Sequence, residues 1–471
     1  MATGVWNEND RPTIPGFYNR FKSVAEKRIG TGIHGILAMP VKANWGPVEK
    51  VVSIKDEKDL INKFGKDNTA YKLGRLALQG KPKELLLYRL TDGNEKVASI
   101  TLKDTTVSSA INVLKLETKY PTDRKFNVTI KNNIINENKK DLILFEGTKQ
   151  VYVFSELTGT MAEIVKSINE NVENIWLKAT KLDEGNGELA NITNESLTGG
   201  NDGTTSITNE HYLKAMENFE GYKADGFCLD GVADESLQNT IKAWVKRNKT
   251  RGNNIIAFLG CKHTDNIQQA NTKSKQFNFE GVVNVATQGI YEGVKYTPAE
   301  TACYIAALAT GKGLKESICN EKTIFEDVEP RLSKEEIEIA LASGTLVMAI
   351  DDNEVIVVDD VNTLKKYSEE QNDTWGYIRG IKFMNAVDSD TALKRKEFIG
   401  KTPNNKTGQL VVICALKQYF EVLEKEGVIE DFTVEIDEEL QKNAKNDEFF
   451  WKWNAKYVNV MKRIYGTGYI R

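Results

Sequence analysis

The chain of 471 residues is too long for one ordinary hydrophobic core, so about two to four domains are expected. A hydrophobic fraction of 40% and a charged fraction of 28% are typical of a folded globular protein and exclude a disordered or fibrous chain. The 63 basic and 67 acidic residues give a formal net charge of -4, without the basic excess that nucleic-acid-binding domains usually carry.

Neither a leader nor a membrane-spanning segment is expected. The first ten residues lack the basic and apolar regions of a signal peptide, and the apolar runs are far shorter than the ~20 residues that cross a bilayer. The cysteines show no disulfide spacing, and Cys228, Cys303 and Cys414 lie in apolar runs, where free thiols behave as small core residues. These features predict folding in a reducing cytoplasm and no direct insertion into a membrane.

Residues 1–22 are predicted to form an N-terminal arm. Pro12 and Pro15 oppose regular hydrogen-bonded structure. The segment after them has the pattern of a short amphipathic strand, and at the extreme end of a chain a neighbouring subunit's sheet is one candidate partner for it. The predicted arm strand comprises Phe17, Tyr18, Asn19, Arg20 and Phe21.

Residues 23–96 and 198–330 are predicted to form an α/β middle domain, because strand and helix patterns alternate along both segments. Such alternation favours a mainly parallel sheet. The predicted strands are residues 36–41, 84–90, 227–229, 255–259 and 282–286, and the predicted helices are residues 56–64, 69–79, 209–219, 235–249 and 298–310.

Residues 97–197 are predicted to form a separate β-rich insertion. They are rich in Asn, Lys and Thr, and short strand-like runs at residues 126–130, 142–145 and 151–154 are separated by turn signals. The glycine cluster at residues 199–203 predicts a tight turn back to the middle domain.

Residues 331–456 are predicted to form a C-terminal domain. Ser333 and Glu336 have the spacing of a capping box, which opens a helix that Gly344 ends. A strand at residues 355–358 and helices at residues 385–397 and 410–424 follow.

Residues 457–471 are predicted to form a second arm, whose strand has no obvious local partner and is therefore a candidate for pairing with a neighbouring subunit. The fold expected is a multidomain α/β and α+β protein, with a mixed α/β core, a β-rich insertion and extended terminal arms. The predicted C-terminal strand comprises Tyr457, Val458, Asn459, Val460, Met461, Lys462, Arg463 and Ile464.

Two glycine clusters resemble phosphate-binding loops but do not fit that role. Residues 30–35 match G-x-G-x-x-G, yet the next residues form a strand pattern containing Pro40, where a dinucleotide site needs a helix N-terminus. The cluster at residues 199–203 is not followed by the lysine of a phosphate-binding loop. Both are interpreted as turns, and no cofactor is predicted.

Metal and catalytic patterns are also weak. Cys261, His263 and Asp265 are close in sequence, but no second pair of ligands stands at a suitable spacing for zinc. The acidic run at residues 326–329 lacks the alternating ligands and the glycine of a calcium loop. Solvated surface is the better interpretation of both, and no catalytic or metal-binding residue is predicted.

An ordered series of short motifs runs along the chain and becomes dense in its C-terminal third. In order and spacing this series resembles the tail sheath family of contractile phages, defective prophages and R-type bacteriocins, over nearly the whole chain except the insertion. The motifs are Pro15-Gly16-Phe17-Tyr18, residues 35–47, residues 197–203, Arg331-Leu332-Ser333 with Glu336, Ala-Leu-Ala-Ser-Gly-Thr-Leu-Val at 340–347, Val-Val-Asp-Asp-Val-Asn-Thr-Leu at 357–364, Arg379-Gly380-Ile381, Phe398-Ile399-Gly400-Lys401, Asn404-Asn405, and Gly-Val-Ile-Glu-Asp-Phe at 427–432.

The resemblance implies a structural subunit, not an enzyme. Such a subunit polymerises with its own copies, as stacked hexameric rings, into a helical tube around an inner tail tube protein. It contracts without a cofactor to drive that tube through a target cell envelope. Baseplate and tail terminator proteins are the further partners implied, and nucleic acid is not. Assembly is expected in the bacterial cytoplasm, followed by residence in a virion or a released tail-like particle.

The resemblance also implies an arrangement of the domains. The C-terminal region and N-terminal arm form an inner layer, the insertion faces outward, and the terminal arms complete the sheets of neighbouring subunits. A charged helix in the inner layer is hypothesised to face the tube through Lys394, Arg395 and Lys396.

Two other classes of function stay open at this point. An α/β enzyme with an unrecognised site would have a pocket containing paired titratable groups of perturbed pKa. A binding module that works by strand addition would differ from a polymer subunit only in stoichiometry.

Overall fold

The computed structural model describes residues 3–4 and 17–18 by their backbone, and residues 34–393 and 395–470 with their side chains. The chain divides into two compact units. The larger unit comprises Ile33–Ser389 and Val460–Arg471, and the smaller unit comprises Met1–Gly32 and Asp390–Asn459.

The described strands, in chain order, are β1 (Thr3–Gly4), β2 (Phe17–Tyr18), β3 (Ile36–Val41), β4 (Val51–Ile54), β5 (Glu84–Arg89), β6 (Ser99–Lys103), β7 (Asn112–Thr118), β8 (Phe126–Asn132), β9 (Lys140–Glu146), β10 (Lys149–Leu157), β11 (Leu177–Lys181), β12 (Ile192–Ser196), β13 (Gly226–Cys228), β14 (Ile256–Gly260), β15 (Val282–Val285), β16 (Gln288–Tyr291), β17 (Val294–Tyr296), β18 (Glu321–Lys322), β19 (Asp327–Glu329), β20 (Thr345–Leu346), β21 (Met348–Asp351), β22 (Glu354–Val357), β23 (Ile429–Ile436) and β24 (Trp451–Tyr457). The helices are α1 (Glu57–Phe64), α2 (Thr69–Gln79), α3 (Met161–Asn169), α4 (Asn209–Phe219), α5 (Glu235–Thr250), α6 (Ile267–Phe277), α7 (Pro298–Gly311), α8 (Lys334–Ser343), α9 (Ile378–Leu393), α10 (Arg395–Phe398), α11 (Lys406–Lys425) and α12 (Glu438–Gln441), with one 3-10 turn at Asp373–Gly376.

A seven-stranded sheet lies at the centre of the larger unit, in the order β20-β15-β14-β13-β3-β5-β4. Neighbouring strands are parallel, except for the antiparallel edge pair of β4 and β5. The mainly parallel sheet of the mixed α/β core is therefore confirmed.

Both faces of this sheet are buried, which explains the uninterrupted apolar runs of its strands. In β3, Leu37 and Met39 join the core beneath α1, α2 and α7, whereas Ala38 joins the core beneath α4 and α5. In β5 the same alternation separates Leu85 from Leu86.

Most helices lie where the sequence predicts them. Helices α2 and α4 have the predicted bounds, and α1, α5 and α7 differ from theirs by one residue. Helix α6 was not predicted because its sequence is polar, although Asn266 and Gln269 form the capping box that marks its start.

The insertion contains two sheets that enclose one apolar core. One sheet has the order β10-β9-β8-β12 and the other the order β11-β7-β6. Val128 and Leu144 from the first sheet, Leu114 and Leu116 from the second, and Ile164 of α3 belong to the same buried cluster. The β-rich character expected from the strand signals is present, together with one unpredicted helix, α3.

A tryptophan from outside the insertion completes its core. Trp45 lies between β3 and β4, is fully buried, and belongs to the insertion's apolar cluster. Its ring lies 5.5 Å from Tyr120 and 5.6 Å from both Phe126 and Trp176. These three aromatic contacts of one buried ring hold the insertion against the α/β core.

A buried arginine fixes the two chain crossings between the α/β core and the insertion. Arg89, the last residue of β5, donates to the carbonyl oxygens of Gly46, Pro121 and Asp202 at 2.8, 2.9 and 3.0 Å. Burial lowers the pKa of Arg89 to about 10. At the returning crossing, a Cβ on Gly200 would lie 2.2 Å from the Thr122 carbonyl oxygen, so this turn requires a glycine.

The C-terminal end of the larger unit follows its predicted capping signals but not every boundary. Ser333 and Glu336 form the expected capping box of α8, and Gly344 ends that helix in the left-handed conformation. Helix α9 begins at Ile378 rather than at residue 385. Gly380 obscured this start, yet it is required there, because a Cβ would lie 2.3 Å from the Thr374 carbonyl oxygen.

The predicted domain boundary at residue 331 does not coincide with the division between the compact units, since residues 331–389 pack with the larger unit. The domain limits predicted from the sequence therefore stay predictions. Within the described part of the chain, no helix has the length and apolar composition needed to cross a membrane.

Candidate functional site

The smaller unit contains an antiparallel hairpin made of β23 and β24. Two cross-strand ion pairs join its exposed face: Lys456 with Glu430 at 3.0 Å and Lys452 with Glu435 at 3.3 Å. The register is interrupted beside Asp431, whose φ is +50°, so the strand carries a bulge there. Exposed charges and a bulge are features that restrain uncontrolled pairing of sheet edges.

The other face of the hairpin packs on α11. Phe420 of α11 is fully buried, and its ring lies 4.9 Å from Trp453 and 5.8 Å from Phe432. Ile429 and Val434 are buried beside it. The hairpin is therefore held at a fixed position on its helix rather than standing free.

The motif Asn404-Asn405 fixes the two ends of this arrangement. The Asn405 side chain accepts a hydrogen bond from the Gly408 amide at 2.9 Å and caps α11. The Asn404 side chain donates to the carbonyl oxygens of Asn446 and Glu448 at 2.9 and 2.8 Å, in the segment that leads into β24.

The hairpin is a sheet of only two strands among the described residues. Each strand therefore has an outer edge with no strand beside it in that part of the chain. Such an edge presents backbone amides and carbonyls at the spacing that an added strand needs. The hairpin is a candidate acceptor for a segment of another molecule.

The predicted N-terminal arm is described only in part. The backbone of β2 pairs in parallel with β1, with Phe17 opposite Thr3 and Tyr18 opposite Gly4. Asn19, Arg20 and Phe21 lie outside the described residues. Pairing of this arm with a neighbouring subunit stays a prediction.

The pairing of residues 457–464 with a neighbouring subunit stays a prediction. Within the described chain the last strand is β24, which begins at Trp451, contains Tyr457 as its final residue and pairs with β23. Residues 458–470 have no regular secondary structure, and their role as an arm stays a prediction.

The C-terminal segment 458–470, called the tail below, exposes large apolar side chains. Met461, Ile464 and Tyr465 are 87%, 83% and 88% exposed, and Tyr469 and Ile470 are exposed as well. A run of exposed large apolar side chains is typical of an interaction segment.

Within this exposed tail, Lys462 is buried. Its ammonium group donates to the carboxylate of Asp359 at 2.6 Å and to that of Asp360, and it lies 3.6 Å from the centroid of the Tyr377 ring. The side chain of Lys462 is 9% exposed, and those of Asp359 and Asp360 are 8% and 2% exposed. Asp359, Asp360 and Tyr377 are called the lysine socket below.

The charges of the socket stabilise one another. Burial acts to raise the pKa of Asp359, but the charge of Lys462 together with the hydrogen bonds from Lys462 and Asp360 outweighs it, and the pKa is lowered from 3.8. Burial acts to lower the pKa of Lys462, but the carboxylates of Asp360 and Asp359 raise it above 10.5. Both shifts favour the charged forms. Their stabilisation is therefore present at neutral pH, and it is lost as the pH falls through the lowered value or rises through the raised one.

The loop that carries the two aspartates is rigidly built, and it is the motif at residues 357–364. The Ile378 amide donates to the Asp360 carbonyl at 2.8 Å. The Asn362 side chain donates to the Trp375 carbonyl at 2.8 Å, and the Thr363 hydroxyl donates to the Phe279 carbonyl at 2.8 Å. The sequence of this motif did not reveal its chemical role, because Lys462 lies 103 residues after Asp359.

The residues hypothesised to face a tube lie near α10. Arg395 and Lys396 are in that helix and are exposed, whereas Lys394 lies outside the described residues. Their role stays a prediction.

The rejected motifs have other uses. The amides of Gly35 and Ile36 donate to the carboxylate of Asp225 at 2.6 and 2.9 Å, so this end of the glycine pattern already holds an anionic group. The acidic residues Asp327 and Glu329 form ion pairs with surface cations, Asp327 with Arg331 at 2.9 Å.

Cys261 does not have the environment of a nucleophile. It lies at a cleft of 280 Å³ that His263 and Asp234 also line. The thiol is buried and donates a hydrogen bond to the side-chain oxygen of Asn284 at 3.3 Å. Burial raises the pKa of Cys261 to about 11. The thiol is therefore protonated at neutral pH, whereas a catalytic cysteine needs a lowered pKa.

Four family models match successive parts of the chain. They are the phage tail sheath protein central domain at residues 205–363, the phage tail sheath C-terminal domain at 370–471, the phage tail sheath protein beta-sandwich domain at 91–202, and the tail sheath protein Gp18 domain III N-terminal region at 34–90. Between residues 34 and 471 these matches leave out only 203–204 and 364–369.

Relatives and solved structures match this chain over most of its length. The chain is 27% identical to YqbK and 25% identical to the phage-like element PBSX protein XkdK, both of Bacillus subtilis, over 99% of each chain. A crystal structure of a sheath tail protein from Desulfitobacterium hafniense matches with a TM-score of 0.70 and 22% identity, over 94% of this chain and 100% of that one. The contracted helical sheath of the anti-feeding prophage matches with a TM-score of 0.54 and 11% identity, over 98% and 99%. At these identities the structural matches show a shared fold.

Proposed function

This chain belongs to the phage tail sheath family and is a structural sheath subunit, and from that premise we propose that it polymerises around an inner tail tube and contracts to drive the tube through a target cell envelope. The polymer is a helical tube of stacked hexameric rings. In this role the chain is not an enzyme and works without a cofactor.

The observation that supports the proposal best is that one chain contains both a small two-stranded sheet and a segment with exposed apolar side chains. Among the described residues the hairpin of β23 and β24 is a sheet of only two strands, and the tail that follows it exposes Met461, Ile464 and Tyr465. An isolated two-stranded sheet gains stability when further strands join it. Segments of neighbouring copies supply such strands, and strand addition links each subunit to the next.

Strand addition also suits a polymer that changes its lattice. Backbone hydrogen bonds at a sheet edge hold wherever the added segment is extended, and the segment's connection to its own subunit is free to bend. The subunits then rotate and slide as rigid bodies while the links between them stay intact. Contraction draws on free energy stored in the extended lattice at assembly.

The rigid attachment of the insertion supports the same scheme. Trp45 and Arg89 tie the insertion to the α/β core, so both move together when the lattice changes. With the insertion outward and the C-terminal region inward, Arg395 and Lys396 are the residues proposed to face the inner tube protein.

The further partners proposed are the baseplate and tail terminator proteins at the two ends of the polymer. Assembly takes place in the bacterial cytoplasm, and the product is part of a virion or a released tail-like particle. Binding to nucleic acid and insertion into a membrane have no part in the proposal.

Negative-stain electron microscopy of the purified protein tests the proposal, with the protein alone and together with its tube protein over a range of concentrations. Hollow striated cylinders are expected, and the presence of tube protein should favour the extended form. Monomers alone under every condition would overturn the proposal.

A further inference from the structure

We propose that in the assembled sheath the lysine socket of each subunit holds Lys462 from the tail of a neighbouring copy. The inference rests on the proposed polymerisation and adds to it the side chains through which one copy holds the next. Four observations support it.

The socket needs a cation in every state of the protein. Asp359 and Asp360 are adjacent and nearly fully buried, and the ammonium of Lys462 bridges them. Removing one partner from a buried ion pair leaves an uncompensated charge away from water, which is strongly unfavourable. If the tail of a subunit leaves to join a neighbour, an equivalent cation must therefore take its place.

The socket is formed before the lysine arrives. Hydrogen bonds from Ile378, Asn362 and Thr363 fix the backbone on both sides of the aspartates, and all of them lie within the larger unit. An isolated antiparallel β-bridge between Val361 and Tyr377 fixes the backbone that carries the Tyr377 ring. A preformed site receives the same lysine from any chain that brings it within reach.

The tail has the composition of an exchanged segment. Met461 and Ile464 on either side of Lys462 are exposed in the single chain, so the tail leaves apolar surface uncovered there. Another copy is the occupant that fits, because it offers the same socket together with a fresh surface for these side chains. The tail then keeps its buried ion pair and covers the apolar side chains that the single chain exposes.

Exchange between identical copies conserves the ion pairs. Each subunit gives one lysine and receives one, so the buried triads are as numerous after assembly as before it. The free energy of assembly then comes from the newly covered apolar residues and the added strands. Lys462 lies five residues after Tyr457, so its Cα atom lies within about 17 Å of the end of β24, and the neighbour's socket lies within reach of its side chain from that point.

Charge reversal in separate chains tests the exchange. K462E and D360K should each polymerise at a concentration at least about tenfold higher than wild type, because each breaks the buried pair. A mixture of the two variants should polymerise better than either alone, because the reversed tail of one chain meets the reversed socket of the other. The double variant K462E/D360K should polymerise as well as the mixture or better.

The outcomes distinguish failure of the lysine exchange from failure of the proposed polymerisation. A double variant that polymerises, with a mixture no better than the single variants, would place the ion pair within one chain and overturn the exchange. Wild-type protein that never polymerises would instead count against the proposed function.

A second measurement leaves the ion pair intact, in case the reversed chains do not fold. The partly exposed Cys319 thiol lies beside the socket, against the Val358 carbonyl at 3.5 Å. Chains carrying M461C, C319S and C414S are assembled with chains carrying C414S alone and treated with a short bis-maleimide. Covalent dimers are expected in the co-assembled sheath and not in dilute monomers. Co-assembled sheath without such dimers would overturn the exchange.

Discussion

The insertion and the C-terminal hairpin are both β-structures, but they finish their sheets in different ways. The insertion has seven strands in two sheets that enclose a shared core, and Trp45 closes that core from the neighbouring domain. The hairpin has two strands in the described chain, one face on α11, and a tail with exposed apolar residues. The first region is complete within one molecule, and we propose that other copies complete the second.

We propose that the insertion mainly stabilises the single chain, whereas the hairpin and the tail mediate assembly. A completed sandwich contributes stability to the single chain and little that another copy can add to. We propose that a hairpin of two strands contributes less to the single chain and more to the polymer, because strands of other copies can add to it. The same backbone chemistry therefore serves stability in one region and association in the other.

Removal of the tail should have the largest effect on polymerisation and so test the difference between the two regions most directly. Deletion of residues 458–471, combined with D359N and D360N so that the socket keeps no uncompensated charge, is expected to abolish polymerisation while the far-UV circular dichroism of the monomer is unchanged, because the tail has no regular secondary structure. Deletion of residues 97–195 together with W45S is the matched control, and it should leave polymerisation largely intact. Loss of assembly in the control, or polymerisation without the tail, would reverse the roles assigned to the two regions.

Trp45→Ala tests whether the insertion depends on its closing residue. Loss of this fully buried ring should lower the free energy of unfolding by about 3–5 kcal/mol. Urea titration measures the loss, and W45F, which keeps an aromatic ring, should lose clearly less. At a temperature where the variant is folded, it should polymerise like wild type. A small effect on unfolding would show that the sandwich closes without this residue.

Equally exposed apolar residues in the two regions should differ in their effect on assembly. Ile464 of the tail and Ile135 of the insertion are 83% and 90% exposed. I464S is expected to raise the concentration needed for polymerisation about tenfold, as loss of one buried aliphatic side chain at an interface would, and I135S is expected to leave it unchanged. Light scattering against protein concentration provides the measurement. Equal effects of the two variants would remove the distinction between the regions.

Removal of one helix cap in each region should produce the smallest effects. Thr160 caps α3 in the insertion, and Asn405 caps α11 beneath the hairpin. T160A and N405A should each cost about 1 kcal/mol in thermal unfolding. Only N405A should also weaken polymerisation, since α11 supports the hairpin. Weakened assembly in T160A would mean that the insertion contributes to contacts between subunits.

Much of the fold was predictable because its signals are local. The bounds of α2 follow from Asn68 before it and Gly80 after it, and Ser333, Glu336 and Gly344 define α8 in the same way. Capping and apolar periodicity act over a few residues, so they are readable without knowledge of the rest of the chain.

The errors lie where a tertiary contact decides the outcome. Gly380 looks like a helix boundary, but it is inside α9 because Thr374 approaches too closely for a side chain. The strand β24 was not predicted, and its pairing with β23 selects Trp451–Tyr457. In both cases packing against another segment overrides the local preference.

The sequence alone determined the α/β core, the β-rich insertion, the main helices and the family resemblance, because each of these depends on local patterns or on the order of motifs. Only the tertiary structure decided that Trp45 belongs to the core of the insertion, that Arg89 fixes its two crossings, and that Lys462 is buried between Asp359 and Asp360. These contacts join residues separated by up to 131 positions, as between Trp45 and Trp176. Side chains so far apart leave no periodic signal, and their pairing follows from the packing of the whole chain.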